Sequence, residues 1–137
     1  MGVMMQGFYW NCPREEGRDF RWWNHVRSKV PELSAAGFTS LWLPPLHQAA
    51  NLDGPSMGYD PYDYYDLGEF DQKGGIPTWF GTKEELSGLI EEAHAGGLEV
   101  FTDLVLGHNS GGDERERNPL TGEERWTLFR PASGRFT

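Results

Sequence analysis

Apolar residues form short continuous runs that alternate with stretches of helical spacing. Residues 3–9 are one such run, and its length and composition predict a first strand. A charged stretch with the composition of a loop follows at residues 11–21. Apolar side chains then recur at intervals of four, four and three residues, which predicts the buried face of a helix: Trp22, Val26, Val30 and Leu33. Pro31 interrupts that spacing, so we expect a kink or two shorter helical pieces there.

The same alternation occurs a second time. Residues 38–43 form an apolar run that two prolines stop, as expected of a buried strand. Thr82 and Glu85 have the spacing of a capping box, which predicts the start of a second helix. Two glycines end that helix, and residues 98–106 are apolar enough to predict a third strand that is buried on both faces.

The order strand, helix, strand, helix, strand predicts a parallel sheet with right-handed crossovers. The carboxyl ends of parallel strands lie together, so residues 9–10, 44–45 and 107–109 should meet at one edge of the sheet. Ligands bind at that edge in open α/β sheets and in closed β/α barrels alike. The pattern therefore directs the search for a functional site to these three segments.

The second of these segments begins an unusually long loop. Residues 44–81 join the second strand to the second helix, whereas such connections typically have about 2–6 residues. The centre of the loop, residues 58–71, interleaves aromatic rings with carboxylates, a composition that suits the apolar face and the hydroxyl rim of a sugar. Tyr59, which follows a flexible glycine, is the strongest candidate for sugar contact. For most of the others a plainer interpretation is open, in which the rings pack the loop and the acids face water.

Two polar residues of the third strand are further candidates. A carboxylate inside an apolar strand is costly unless it is paired, so Asp103 needs either an organising partner or a ligand. His108 ends the strand, where it either donates to ligand hydroxyls or simply caps the strand. A calcium loop is disfavoured because the acids of the long loop lack the alternation and the terminal glutamate of an EF-hand: Asp60, Asp63, Asp66 and Asp71.

Composition and charge narrow the classes of ligand. The 137 residues carry 21 acidic and 12 basic side chains, a net charge of −9 that argues against nucleic acid and anionic membranes as partners. One cysteine, Cys12, excludes an internal disulfide. No run of about 18 apolar residues and no signal sequence is visible, so the location is open between the cytoplasm and secretion after a removed signal. The oligomeric state is also open.

Four segments in this order resemble the amino-terminal part of the α-amylases, members of the large α-glucan-hydrolase family: residues 3–10, 42–45, 56–81 and 103–108. Residues 58–81 are the most diagnostic, and the resemblance covers essentially the whole chain. It implies the fold class α/β, an incomplete (β/α)8 TIM barrel with three parallel strands, two helices and a long irregular loop after the second strand. Residues 1–109 would belong to this catalytic barrel, and residues 110–137 to the start of an irregular excursion, domain B, after the third strand.

The resemblance also implies an activity and roles for individual residues. The activity is hydrolysis of internal α-1,4-glucosidic bonds of starch or related glucans with retention of configuration, by a carboxylate nucleophile and a carboxylic acid. Tyr59 resembles the tyrosine that stacks on the sugar at the cleaved bond, and His108 the histidine that hydrogen-bonds that sugar. Asp103 resembles the aspartate that opens the first signature of the family and orders the site. Gln6 and Trp10 are expected nearby.

In this family the nucleophile, the acid and a second aspartate follow the fourth, fifth and seventh barrel strands. We therefore expect no catalytic residue in this chain and no activity from the chain alone. A structural calcium ion is a further expectation from the family, although Gly107 occupies the usual position of an asparagine ligand and has no side-chain oxygen. Asn109 could replace that ligand after a local shift.

Other functions are compatible with the same sequence. A sibling enzyme of the family, such as an oligoglucosidase or a glucanotransferase, would share these segments. A non-catalytic carbohydrate-binding module would need only the aromatic platform and a self-contained fold, and a protein-interaction fragment would need an apolar patch unrelated to sugar. A module should unfold as one cooperative unit, whereas three barrel strands with open edges should tend to aggregate.

Overall fold

A computed structural model describes residues 2–14, 21–51 and 56–135. Its elements are, in chain order, β1 (Met4–Gln6), α1 (Trp22–Ala35), β2 (Ser40–Leu43), β3 (Gln48–Ala49), β4 (Pro61–Asp63), α2 (Lys83–Ala95), β5 (Glu99–Thr102), β6 (Glu114–Arg117) and β7 (Glu124–Leu128). The predicted alternation of three strands and two helices is present as β1, α1, β2, α2 and β5. Most of the loop predicted at residues 11–21 lies outside the described residues.

Three strands form a parallel sheet in the order β1, β2, β5. Met4 pairs with Ser40, and Ser40 pairs with Glu99, so the three strands begin level with one another. This arrangement confirms the predicted parallel sheet, although each strand is shorter than the apolar run that predicted it. The carboxyl ends of the three strands therefore lie at one edge, followed by the segments in which a site is expected.

The two helices pack against each other and on the sheet through one apolar core. Trp23 of α1, Leu41 of β2 and Leu89 of α2 are each 0% exposed. Burial of a side chain of this kind contributes about 1.5–3 kcal/mol. The predicted face of α1 is confirmed, because its members are buried or pack against the core: Trp22, Val26, Val30 and Leu33.

Pro31 lies inside α1 without dividing it. The helix is continuous from Trp22 to Ala35, so the expectation of two shorter pieces is wrong. Both Pro31 and Arg27 are exposed. The Arg27 carbonyl, which loses its helical donor to the proline ring, therefore lies on a side of the helix that water can reach.

The third strand is exposed where the sequence predicts burial on both faces. The exposed fractions are 47% for Phe101, 71% for Leu104 and 73% for Leu106. Among the described residues β5 pairs with β2 alone, and α2 packs against one of its faces. Its apolar residues are therefore covered on one side of the sheet and open on the other.

Two antiparallel pairs lie outside the parallel sheet. β3 and β4 form a short ladder inside the long loop, and β6 and β7 form a hairpin in which Arg117 pairs with Glu124. In the sequence, the β3–β4 pair precedes α2 and the β6–β7 pair follows β5. In the part of the chain that is described, no helix has the length and apolar character needed to cross a membrane.

The predicted capping box starts α2. Thr82 Oγ1 accepts a hydrogen bond from Glu85 N at 3.3 Å, and Glu85 Oε2 accepts one from Thr82 N at 2.8 Å. Asn24 of α1 donates to the same carboxylate, with Nδ2 2.9 Å from Oε1. The cap therefore satisfies the first turn of α2 and also ties α2 to α1.

Removal of the cap oxygen should destabilise the fold. Thr82→Ala should lower the free energy of unfolding by about 1 kcal/mol, because an amide of the first turn loses its acceptor. Urea denaturation followed by circular dichroism measures this change. Thr82→Ser keeps the oxygen and should lose less than half as much, and an unfolding free energy that Thr82→Ala leaves unchanged would show that the cap contributes nothing.

Candidate functional site

Two buried carboxylates give the long loop its shape. Asp63 and Asp66 are each 0% exposed, so the expectation that the loop acids face water is wrong for both. Asp66 Oδ1 accepts from the backbone amides of Gly68 and Glu69, at 2.8 and 2.9 Å. Gln72 Nε2 donates to both carboxylates, at 2.9 Å for Asp63 and 2.6 Å for Asp66. These donors offset the cost of burying the two groups.

The aromatic rings of the same loop differ in exposure. Tyr62 is 2% exposed and packs inside the loop, as the plainer interpretation predicts. Tyr65 is 50% exposed. Tyr59 and Tyr64 are half-buried, and both direct their hydroxyls toward the segment that follows β5. The loop therefore covers the carboxyl edge of the sheet with two of its tyrosines.

Asp103 directly follows β5 at this edge, and its carboxylate has two donors. Oδ1 accepts from the indole Nε1 of Trp42 at 2.9 Å. Oδ2 accepts from the hydroxyl of Tyr59 at 2.5 Å. Since Trp42 belongs to β2 and Tyr59 to the long loop, Asp103 links both to the end of β5.

The ring of Tyr59 is anchored at its hydroxyl and stacked on one side. Burial, the hydrogen bond to Asp103 and the charge of that carboxylate together raise the pKa of Tyr59 to about 12, with burial as the largest cause. The phenol is therefore protonated at neutral pH and donates to Asp103. The ring of Trp10 lies parallel to it, with centroids 6.0 Å apart and an angle of 18°. Trp10 is 65% exposed, so this pair forms an open aromatic surface.

His108 and Gln6 complete the predicted residues. His108 is exposed, and its Nε2 lies 2.9 Å from the carbonyl oxygen of Tyr59. Gln6 ends β1 in register with Trp42, and its side-chain amide donates to Phe8 O at 3.0 Å. Four of the predicted residues thus form one contact network with Trp42, which we call the Asp103 cluster: Trp10, Trp42, Tyr59, Asp103 and His108. Gln6 lies beside it in the sheet.

Trp42 is the member of the Asp103 cluster that the sequence analysis missed. Its neighbours in β2, Leu41 and Leu43, are both 0% exposed and contribute to the core. Because successive side chains of a strand point to opposite faces, Trp42 lies on the other face of the sheet. This alternation was the available signal, but it does not reveal a hydrogen bond to a residue 61 positions further along the chain.

The residues at this edge do not fit a calcium ion. Among the described residues, no group of three or more His, Cys, Asp or Glu side chains could hold a metal ion. Gly107 has open space around its Cα, and Asn109 donates its side-chain amide to Tyr62 O at 3.4 Å. A calcium ion at this edge would therefore need oxygen ligands from backbone carbonyls, side-chain amides or other parts of the polypeptide.

A second polar junction fixes the β6–β7 hairpin to the long loop. Asp113 accepts from the hydroxyl of Tyr62 at 2.6 Å, from Lys73 Nζ at 2.8 Å and from Arg130 N at 2.7 Å. Burial alone would raise the pKa of Asp113, but these donors outweigh it and hold the pKa below its ordinary value. The position of the hairpin therefore depends on an ionised Asp113.

Comparison with known proteins identifies a family by sequence and finds a similar fold among solved structures. The family model "Alpha amylase, catalytic domain" matches residues 16–126. The alpha-amylase of Geobacillus stearothermophilus is 42% identical over 115 residues, which cover 84% of this chain and 20% of that protein. The glucan 1,4-alpha-maltohexaosidase of Bacillus sp. (strain 707) is 36% identical over 143 residues, covering 93% of this chain and 26% of that protein. The solved truncated alternansucrase from Leuconostoc mesenteroides has a TM-score of 0.71 at 25% identity and covers 84% of this chain and 11% of its own.

The parallel sheet of β1, β2 and β5, with α1 and α2 as its crossovers, is part of a (β/α)8 barrel. The chain belongs to the alpha-amylase catalytic domain family, because the family match spans most of its residues. This confirms the resemblance that the four sequence segments indicate. The chain spans about a fifth to a quarter of the length of the two curated relatives.

The Asp113 junction predicts a specific dependence of stability on pH. Because the pKa of Asp113 is lowered in the folded state, its ionised form stabilises the fold above the unfolded pKa of about 3.9. That stabilisation is lost as the pH falls through the pKa that Asp113 has in the folded protein. The Tm of the wild-type protein should therefore drop more steeply below about pH 4 than the Tm of Asp113→Asn, measured by circular dichroism.

A control variant separates this junction from the general effect of charge. Glu91→Gln removes an exposed carboxylate of α2, and its Tm should keep the wild-type dependence on pH. Parallel Tm curves for the wild type and Asp113→Asn would contradict the role of the junction.

Proposed function

We propose that the polypeptide containing these 137 residues is a glycoside hydrolase of the α-amylase type. It cleaves internal α-1,4-glucosidic bonds of starch or related glucans with retention of configuration. This chain contributes part of the substrate cleft, in which four residues contact the glucan: Tyr59, His108, Trp10 and Gln6. Asp103 supports them. The observation that carries the proposal is the open stack of Trp10 on Tyr59 at the carboxyl edge of the sheet, the edge where β/α barrels bind their ligands.

The chemistry of the Asp103 cluster supports this assignment. A pyranose ring has an apolar face, which stacks on an aromatic side chain, and hydroxyls, which need hydrogen-bond partners. The Tyr59 phenol stays protonated and bound to Asp103, so the ring offers a face of fixed orientation. The exposed imidazole of His108 lies next to the Tyr59 carbonyl, within reach of the hydroxyls of a sugar stacked there.

Cleavage with retention needs two carboxyl groups about 5–5.5 Å apart, one as nucleophile and one as acid. Asp103 accepts hydrogen bonds from both Trp42 and Tyr59, which suits a supporting carboxylate better than an attacking one. We therefore assign the nucleophile and the acid to other parts of the polypeptide. The family places them after later barrel strands.

The chain alone should consequently be inactive. Purified residues 1–137 should release no reducing sugar from starch, because the chain holds a binding surface without the acid and the nucleophile. A reducing-end assay measures this, with a longer polypeptide that includes the later barrel strands as the positive control. Release of reducing sugar by the 137-residue chain would overturn the assignment.

Loss of either stacked ring should weaken glucan binding. Tyr59→Ala and Trp10→Ala should each raise the Kd for maltoheptaose about tenfold, because each removes a ring face whose burial contributes about 1–2 kcal/mol. Titration calorimetry measures the Kd. Tyr65→Ala is the matched control, since its ring is 50% exposed on the same loop but faces Arg135. If the control weakens binding as much as the two site variants, the stack is not the sugar surface.

Two other functions have some support. The fold similarity to an alternansucrase is compatible with a glucosidase or glucanotransferase of the same family. An assay of a longer polypeptide for transfer products decides between hydrolysis and transfer.

A carbohydrate-binding module would also need the aromatic stack. Exposed apolar side chains on β5 and just after it argue against a self-contained module: Phe101, Leu104 and Leu106. A monomeric chain that melts cooperatively and binds maltoheptaose would favour the module.

A further inference from the structure

The turn that carries Tyr59 has an unusual backbone. It comprises residues 56–59, and Tyr59 N donates to Ser56 O at 3.4 Å. Both central residues have positive φ, 52° at Met57 and 82° at Gly58. These angles suit glycine and are disfavoured for methionine, so the turn depends on surrounding contacts that hold it.

Contacts of three kinds hold the first part of this turn. Met57 is 0% exposed and packs in the core. Ser56 Oγ accepts from Gly58 N at 3.1 Å and donates to the carboxylate of Asp60. A Cβ at position 58 would lie 2.9 Å from Pro45 Cβ and 3.0 Å from Pro45 O, so the backbone passes Pro45 at a distance that only glycine allows.

The carbonyl group of Gly58 is held by a buried histidine. His47 Nε2 lies 3.1 Å from Gly58 O, and the residue is 5% exposed. Its ring packs against the ring of Tyr64 at 5.1 Å and 66°. The hydroxyl of Tyr64 lies 2.6 Å from Val105 O and 2.9 Å from His108 O. His47 therefore joins the turn to the segment that follows β5.

The imidazole of His47 is suited to donate this hydrogen bond. Burial lowers the pKa of His47, although the Gly58 carbonyl and nearby carboxylates act in the opposite direction. A neutral imidazole carries one ring proton, and a nitrogen that faces a carbonyl must carry it, which assigns the proton to Nε2. The following carbonyl, Tyr59 O, lies 2.9 Å from Nε2 of His108. Two histidines thus contact the two carbonyls that flank the Cα of Tyr59.

We propose that His47 is a positioning residue, whose Nε2–H holds the Gly58 carbonyl and thereby fixes the orientation in which the Tyr59 ring meets the glucan. Gly58 and Tyr59 share one planar peptide unit, so a rotation of this carbonyl turns the unit to which Tyr59 is attached. The inference rests on the proposed sugar contact of Tyr59. Its structural half, the effect of His47 on Tyr59, can be measured without sugar.

Two substitutions separate the hydrogen bond from the packing of the ring. His47→Phe keeps a buried ring beside Tyr64 and removes the donor. His47→Gln removes the ring and keeps an amide N–H at a similar reach from the backbone. Both are made in the full polypeptide that contains this chain, with tyrosine Cζ labelled with ¹³C, and NMR reports the Tyr59 resonance and the ring contact between Trp10 and Tyr59. Calorimetry with maltoheptaose reports binding.

His47→Phe should shift the Tyr59 resonance and weaken maltoheptaose binding about fivefold, the effect of one net hydrogen bond. His47→Gln should keep the wild-type resonance and bind within about twofold of wild type. Wild-type Tyr59 signals in both variants would overturn the proposal, whatever the binding result. A shifted signal in His47→Phe, with wild-type binding in both His47→Phe and Tyr59→Ala, would support the positioning of Tyr59 and refute the proposed sugar contact.

The wild-type protein offers a test that does not depend on the folding of any variant. The ¹⁵N resonances of His47 should show a neutral imidazole with its proton on Nε2 at neutral pH. A proton on Nδ1 instead would leave a bare Nε2 facing the Gly58 carbonyl. That result would overturn the proposal, because no hydrogen bond could then hold this carbonyl.

Discussion

The carboxylate of Asp103 is the group on which the arrangement of the candidate site depends. It accepts from Trp42, which precedes it by 61 residues, and from Tyr59, which precedes it by 44. A partly buried carboxylate is costly without donors, and hydrogen bonds to a charged acceptor are stronger than those between neutral groups. The one group therefore orients an indole of the sheet and a phenol of the loop. The carboxyl edge of the sheet and the long loop consequently behave as one structural unit.

Residues 113–133, which contain the β6–β7 hairpin and are called the hairpin segment, are joined to this unit through polar contacts. Ser133 Oγ donates to Asp63 Oδ1 at 2.8 Å, and Ala132 N donates to Gln72 Oε1 at 2.8 Å. Asp113 provides a further attachment, through Lys73 and Tyr62 of the loop. The segment thus binds to groups that already shape the loop, and the loop in turn is joined to Asp103. Hydrogen bonds and ion pairs of this kind are directional, and they weaken when a carboxylate is protonated. Apolar packing has neither property.

Sequence patterns predicted the features that depend on neighbouring residues. The capping box at Thr82 and the buried face of α1 follow from spacings of three and four, and the parallel sheet follows from the order of the elements. Errors arose where a residue meets distant parts of the chain. The plainer interpretation of the loop places Asp63 in water, but Asp63 is buried against Ser133, 70 residues away. The apolar run around Leu104 shows only that burial would be favourable, not which neighbour covers it.

The site differs from the fold in what the sequence could predict. Residue type and position indicated Tyr59, Asp103 and His108, and a family resemblance added Gln6 and Trp10. The contacts that orient these residues follow from the folded chain. Tyr59 is held at its hydroxyl by Asp103 and near its backbone by His108. A ring that is already fixed avoids the ordering cost of about 0.5–1.5 kcal/mol that a mobile side chain incurs on binding. Trp10, at 65% exposure, is open to solvent beside it. The aromatic surface therefore combines one ring of fixed orientation with one that has room to adjust, and in the proposed function the fixed ring sets the position of the sugar.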